Sequence, residues 1–320
     1  MNTIKILLTA MASVIVFATQ PAKGQPAWPA RPIKLVVPYP AGGNTDNIAR
    51  LAAEWLAAAL SQTVVVENKG GAGGAIGAQA VARSPADGYT LLLTASGVMT
   101  IAPHLRQVPY HVADFTPVAS VASSYGLVSA RKDLPANNMA EFAALAKREP
   151  GRLSYGSAGI ATATHLVGEI THLSLGVQLL HVPYKGSGDS LNGLSGGQVD
   201  ILYDPIALPQ VKAGRVKALA VTGKGRHPEL PDVPTLTEQG VVYIGSTWFG
   251  VFAPKGTPPA IVNQIAAVLD KALKAPTVEK QLATMSLYPD YRGPTALAKA
   301  MQDDSAMYKD FIARTGIKAE

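Results

Sequence analysis

Short β-branched runs alternate with helical stretches along almost the whole chain, and this alternation constrains the fold more than any other feature of the sequence. Ile33–Val37 is apolar except at Lys34 and reads as a strand. In Asn47–Leu60 the apolar residues Ile48, Leu51, Ala52, Trp55, Leu56 and Ala59 recur at i, i+3, i+4, i+7, i+8 and i+11, one stripe of a helix. Asn44, Thr45 and Asp46 offer N-cap chemistry before it. A strand over Thr63–Val66, a helix over Ala75–Ala82 and a strand over Thr90–Thr94 continue the rhythm. Apolar strands joined through helices imply an α/β fold with a mostly parallel sheet flanked by helices.

The pattern restarts beyond Phe115–Val121. Strands are expected at Leu127–Ala130, Leu153–Tyr155, Leu179–Val182, Val199–Tyr203 and Val216–Thr222, with helices at Met139–Lys147, Thr162–His172, Ser190–Leu194 and Ile206–Ala213. A final strand, Trp248–Ala253, precedes amphipathic helices at Ile261–Leu273 and Leu297–Ile312. The Pro-rich stretch Pro228–Pro234 reads as a crossing back to the first unit. Two domains follow: a discontinuous one over 25–123 and 247–320, and an inserted one over 124–246. Their hinges are expected near Ser123–Ser124 and Gly245–Thr247, so the molecule should be bilobed with a cleft. In open α/β sheets ligands bind beyond the carboxyl ends of the strands.

Residues 1–24 carry an export signal. Lys5 precedes an apolar run, Ile6–Thr19, that falls short of the roughly 20 residues of a membrane span. Ala22-Lys23-Gly24 supplies small residues before an expected cut near Gly24/Gln25, with Ala18 as a second candidate. No later stretch is apolar enough to cross a membrane. There is no cysteine, so disulfides, thiolate metal sites, cysteine nucleophiles and an N-terminal lipid anchor on cysteine are all excluded. Loss of Lys5 and Lys23 takes Lys plus Arg from 28 to 26 against 22 Asp plus Glu, a net of +4. These charges are scattered, without a basic run, so no nucleic-acid partner is expected.

Three loops could carry chemistry. Pro38-Tyr39-Pro40-Ala41-Gly42-Gly43-Asn44-Thr45-Asp46 joins the first strand to the first helix. A helix start with unpaired N–H groups and a positive dipole end is a ready anion site; an ordinary capped turn is the alternative. Glu67 to Gly77 comes close to a dinucleotide fingerprint, but Ile76 stands where the third glycine belongs, so no cofactor is expected and a tight packing turn is the preferred reading. Tyr155-Gly156-Ser157-Ala158-Gly159-Ile160-Ala161-Thr162 repeats the first loop's design in the second unit. Two such loops facing across a cleft could hold an anion without arginine.

Enzyme readings find little support. Gly193-Leu194-Ser195-Gly196-Gly197 matches G-x-S-x-G, but a helix precedes it and a strand follows, the reverse of a nucleophile elbow. Ser157 with His165 is the other conceivable pair. No metal-binding spacing or P-loop is present, so neither a catalytic residue nor a metal site is expected.

Several motifs in series resemble one family. They are Pro38 to Gly43 with Asp46 and Arg50, Glu67-Asn68 through Gly77, and Asp87-Gly88-Tyr89-Thr90-Leu91-Leu92. Tyr155-Gly156-Ser157 through His165-Leu166 and His181-Val182-Pro183-Tyr184-Lys185-Gly186 follow. Pro231-Asp232-Val233-Pro234-Thr235 with Glu238 and Gly240, then Ala253 to Pro258, complete the order. Together they resemble the extracytoplasmic solute receptors of tripartite tricarboxylate transporters, the Bug receptors, from about Ile33 onward.

The resemblance implies a soluble periplasmic binding protein of Venus-flytrap fold, expected to act as a monomer. It would capture a small carboxylate and deliver it to membrane transporter subunits. It places ligand contacts at Tyr39, Ala41, Gly42, Gly43, Thr45 and Asp46 on one side and Ser157, Ala158, Gly159 and Thr162 on the other. Ala161 and Thr162 stand where the family often has glycine and serine. Ser96, Tyr203 and Asp204 are further cleft candidates because they follow strands, and Tyr125 and Trp248 are candidates for the far end of a ligand. A carboxylate sensor and a periplasmic serine hydrolase using Ser157 or Ser195 remain as alternative functions.

Overall fold

The computed structural model describes residues 28–222, 225–241 and 247–317. The expected export signal, and Gly245 and Ser246 of the second expected hinge, lie outside the described residues. The first lobe begins with strand β1 (Ile33–Val37), helix α1 (Asn44–Leu60), β2 (Val64–Asn68), α2 (Ala75–Ala82) and β3 (Thr90–Ala95). Short helices α3 (Gly97–Thr100) and α4 (Ala102–Leu105) lead to β4 (Phe115–Ser124). The second lobe contains β5 (Gly126–Arg131), α5 (Met139–Arg148), β6 (Ser154–Ser157), α6 (Ala163–Leu175) and β7 (Leu180–Pro183). It continues with α7 (Ser187–Ser195), β8 (Ile201–Tyr203), α8 (Leu208–Lys212) and β9 (Val216–Thr222). The chain then returns to the first lobe with β10 (Trp248–Pro254), α9 (Pro259–Leu273), α10 (Pro276–Ala283), β11 (Leu287–Arg292) and α11 (Pro294–Thr315).

Two sheets result, in the orders β11-β4-β10-β3-β1-β2 and β7-β6-β8-β5-β9. Strands joined through helices pair in parallel, as the alternation predicts: β1 with β2 and β3, and β6 with β7 and β8. The remaining pairs are antiparallel. Each sheet is therefore mixed, with a parallel half built on helical crossovers and an antiparallel half. The antiparallel half arises because β4 runs out of the first sheet directly into β5 of the second, and the chain later returns into β10.

The crossing falls one residue beyond the expected hinge. Ser124 still pairs with Leu287 in the first sheet, and Gly126 already pairs with Thr222 in the second, which leaves Tyr125 between them. The Ser124 N–H donates to the Thr247 carbonyl at 2.9 Å, so the two connections run side by side. Gly126 is required by a close approach: a Cβ there would stand 1.9 Å from Thr222 Oγ1.

The first core lies between the six-stranded sheet and its helices. Ile48, Ala49, Ala52 and Leu56 of α1 are fully buried with Leu35, Leu91, Val251 and Phe252. The second gathers Phe142, Leu153, Tyr155, Ile201 and Leu219. Two elements carry too little sequence signal to be expected. β11 reads Leu-Tyr-Pro-Asp-Tyr-Arg, poor in β-branched residues, and Pro289 is tolerated because this strand is the sheet's edge. Helix α10 is amphipathic but only two turns long.

A further apolar cluster joins the lobes: Ala163, Leu166 and Ile170 of α6 pack with Ile101, and with Tyr308 and Phe311 of α11. Replacing Gly126 by alanine should force β5 and β9 apart and cost about 1–3 kcal/mol. A lower urea midpoint at unchanged m-value would show it.

Candidate functional site

The parallel halves of both sheets end on one enclosed space. Tyr39 follows β1, Ala95 ends β3, Ala158 follows β6 and Asp204 follows β8, and all four line a cavity of about 60 Å³ between the lobes. By the rule that one water needs roughly 10–15 Å³ of such volume, there is room for about four to six waters. The first lobe contributes Tyr39, Pro40, Gly43, Asn44, Thr45, Ala95 and Phe249. The second contributes Ala158, Thr162, Ala163, Thr164 and Val167, and then Ser187, Tyr203, Asp204 and Pro205. Ser124, Gly126, Thr222 and Thr247 close the side where the chain crosses between lobes. Among the described residues the lining contains no lysine, arginine or histidine.

Backbone N–H groups at two helix starts border the cavity. Helix α1 begins three residues earlier than expected, at Asn44, with Gly43 as an N-cap that supplies no side chain. The first N–H groups of a helix have no intrahelical acceptor and carry the positive end of its dipole. Asn44 and Thr45, in that first turn, face the cavity, and the Asn44 Nδ2 is buried without a hydrogen-bond partner. Helix α6 presents its start from the opposite lobe. Thr162 caps it by accepting from the His165 N–H, and its hydroxyl donates to the Gly159 carbonyl at 2.7 Å. Thr164 Oγ1 accepts from the Ala158 N–H at 2.9 Å.

The loop before α6 is held from below. Ser157 Oγ lies 2.7 Å from His181 Nε2 and accepts from the Gly159 N–H at 3.1 Å. The Ala161 N–H donates to His165 Nδ1 at 3.2 Å. Ala161 has φ = 61°, the left-handed region that favours glycine. His165 stacks on His181 with ring centroids 4.2 Å apart, His181 stacks on Tyr155, and His172 Nε2 lies 2.8 Å from the Tyr203 hydroxyl. Burial lowers all three imidazoles, with mutual repulsion adding to the effect at His165 and His172. His165 and His172 fall to about 3 and His181 to about 4.

Asp204 is the cavity's one acidic side chain. Its Oδ2 accepts from the Ser187 hydroxyl at 2.6 Å and its Oδ1 from the Ile206 N–H at 3.0 Å. Burial pushes it up to about 6, against the pull of those two hydrogen bonds.

Of the residues expected to meet a ligand, Tyr39, Gly43, Thr45, Ala158, Thr162, Tyr203 and Asp204 line the cavity. Ala41 and Gly42 are exposed outside it. Asp46 turns away: its carboxylate accepts from the Gly42 N–H at 2.9 Å, from Asn68 Nδ2 at 3.0 Å and from Arg50. Burial raises Asp46, but these three partners outweigh it and hold the carboxyl below its ordinary value. Asp46 therefore builds the loop. Ser96 lies outside the lining, with a buried Oγ that lacks a partner. Ser157 sits beneath the loop, and Gly159 faces a separate depression beside Gly73 and Lys185.

Trp248 is also outside the lining, fully buried, and donates from Nε1 to Asp304 at 2.7 Å. Tyr125 packs on His227 and Tyr288. Phe249 takes the place expected of an aromatic side chain, because the strand's alternation turns it, and not Trp248, toward the cavity. Sequence reasoning missed Asn44 as more than a cap, along with Thr164, Ser187, Thr222 and Thr247. Ser187 carried a signal, since it follows a strand and a glycine at a helix start just as Asn44 does.

Two lobes closing on a cavity bordered by helix starts define the class of periplasmic solute-binding proteins. The chain belongs to the tripartite tricarboxylate transporter family receptors, whose family model matches residues 48–317. It is 35% identical over 300 residues to protein BugT of Bordetella pertussis, covering 91% of each chain. The solved periplasmic binding protein BugD superposes with a TM-score of 0.86 at 38% identity, covering 92% of this chain and all of that one. Rpa4515 of R. palustris, solved with adipate, matches with a TM-score of 0.88 at 35% identity over 91% of this chain and 99% of its own. MatC of Rhodopseudomonas palustris, solved with malate, matches at 0.84 and 33% over 88% and 99%. Among the described residues no helix is long and apolar enough to cross a membrane.

The three imidazoles set an acid limit. Their folded values lie below the ordinary histidine value near 6.5, so they contribute stability that is present above about 6.5 and lost as pH falls toward their folded values of about 3–4. The thermal midpoint should fall between about pH 6.5 and about pH 4.5, and His165→Gln should flatten that fall.

Proposed function

We propose that this receptor captures a small carboxylate between the starts of α1 and α6 and presents the closed form to the membrane subunits of a tripartite transporter. The observation that carries the reading is a cavity between the lobes with two helix N-termini, an unpartnered buried Asn44 amide and, among the described residues, no cationic side chain in its lining. Such a site suits an anion desolvated against backbone dipoles, which act more strongly away from water. The adipate and malate held by the two neighbours above are both small carboxylates, in keeping with it.

The protein would be exported through residues 1–24, cleaved near Gly24 and work as a soluble periplasmic monomer. It would act without catalysis. Ser157 is fully buried beneath the loop, and Ser195 is exposed at the end of α7, away from the cavity. The moving bodies would be 25–123 with 247–320 against 124–246, turning about Tyr125 and the neighbouring Thr247 connection. Closure brings α3 against α6, where a Cβ on Gly97 would stand 2.9 Å from the Ala163 nitrogen. The same closure buries Leu166 and Ile170 against α11.

Titration calorimetry against a panel of carboxylates tests the reading, and no heat from any of them would end it. Asn44→Ala should weaken the tightest acid by about 10- to 100-fold, the loss of one hydrogen bond to a charged group. It should leave the unliganded thermal midpoint unchanged, because Asn44 Nδ2 has no partner to lose. Gly97→Val should hold the lobes apart and weaken every acid by at least about tenfold, with the circular dichroism spectrum retained.

A further inference from the structure

Charge is unevenly distributed around the cavity. Around the starts of α1 and α6 the donors are first-turn N–H groups, the unpartnered Asn44 Nδ2 and the Thr45 hydroxyl, which can also accept. On the wall formed by the end of β8 stands Asp204, 1% exposed, with one bond to each of its carboxylate oxygens. A carboxylate oxygen has two lone-pair sites, so each keeps capacity for a second donor.

Among the described residues Asp204 has no salt-bridge partner. Among the described residues the lining holds no lysine, arginine or histidine to neutralise a second negative group beside it. Its ordinary carboxyl value is raised only to about 6, so at neutral pH it remains largely ionised and can accept but not donate. A ligand that put a bare second carboxylate against this wall would set like charges together in a water-poor space.

We infer that Asp204, oriented by the Ser187 hydroxyl, reads a hydrogen-bond donor on the ligand, so that this receptor prefers hydroxy- or amino-carboxylates over the matching unsubstituted acids. The inference rests on the proposed carboxylate capture and adds the second half of the recognition. The carboxylate meets the helix starts, and a hydroxyl or ammonium group meets Asp204. Each Asp204 oxygen keeps its internal bond when the ligand offers no donor, so the discrimination is that of one added hydrogen bond to a charged group. The small cavity acts in the same direction, because little space is left for waters to bridge a missing group.

The test is calorimetry at about pH 7.5 with matched acids: succinate, malate and aspartate in one series, and propionate, lactate and alanine in another. Wild-type protein should bind the hydroxy or amino member of at least one series at least about tenfold tighter than its unsubstituted partner, about 1.4 kcal/mol. D204N should abolish that preference. Ser187→Ala, which removes only the hydroxyl that orients Asp204, should reduce the preference in part and serves as the second variant if D204N fails to fold. An unsubstituted acid that binds as tightly as its hydroxy and amino partners would overturn the inference and leave carboxylate capture standing. So would a preference that survives both variants. If no acid in either series binds while other carboxylates of the wider panel do, the inference is overturned and carboxylate capture stands. If none of the panel binds, carboxylate capture itself fails, and this inference with it.

Discussion

The site depends on backbone N–H groups that a helix cannot satisfy by itself. At the start of α1 the capping residue is a glycine without a side chain to offer, and at the start of α6 the capping threonine serves only one amide. Unpaired donors inside a protein are tolerable only if something else accepts from them. Placing two such helix ends on opposite walls of one cavity creates a binding demand that belongs to neither lobe alone. The rest of the architecture brings those ends face to face. Parallel strands point both loops the same way out of their sheets, and two adjacent crossings let the lobes meet.

The groups that support the loops are themselves buried, polar and fully engaged. Asp46 ties Gly42, Arg50 and Asn68 into one arrangement. On the other side Ser157 links His181 to the backbone of Gly159, and His165 receives the Ala161 N–H. These contacts fix where the amides point, which matters more for holding an anion than the identity of the side chains facing the cavity. The neutral state of the imidazoles follows from the same burial, and it keeps them as hydrogen-bonding struts instead of additional positive charges.

Much of the fold could be read before the structure was known, because period-2 and period-3.6 patterns report directly which face of an element is buried. The strand Ile33–Val37 and the helix Ala75–Ala82 fall on the expected residues. The elements that escaped are those whose stability comes from neighbours. β11, with Pro289 and Asp290 in its middle, pairs only because β4 offers it an edge. Residues of the site divide in the same way. Tyr39, Gly43, Thr45, Thr162 and Asp204 were accessible because strand-loop-helix order marks the carboxyl ends of parallel strands. Asp46 and Ser157 belong to the same loops but turn inward to hold them, and no one-dimensional spacing distinguishes a residue that lines a cavity from one that braces it.

By itself the sequence determined the α/β alternation, the two-unit organisation, the absence of any thiol chemistry and the helix starts rich in glycine and hydroxyls. All of these are local properties carried by neighbours along the chain. Only the tertiary structure decided that Ser157 answers to His181 and not to His165, that Phe249 and not Trp248 meets the cavity, and that Asp204 stands at its wall, bonded to Ser187. Those outcomes depend on which strands lie side by side and how closely the lobes approach. The free energy that settles them comes from packing between residues far apart in the chain.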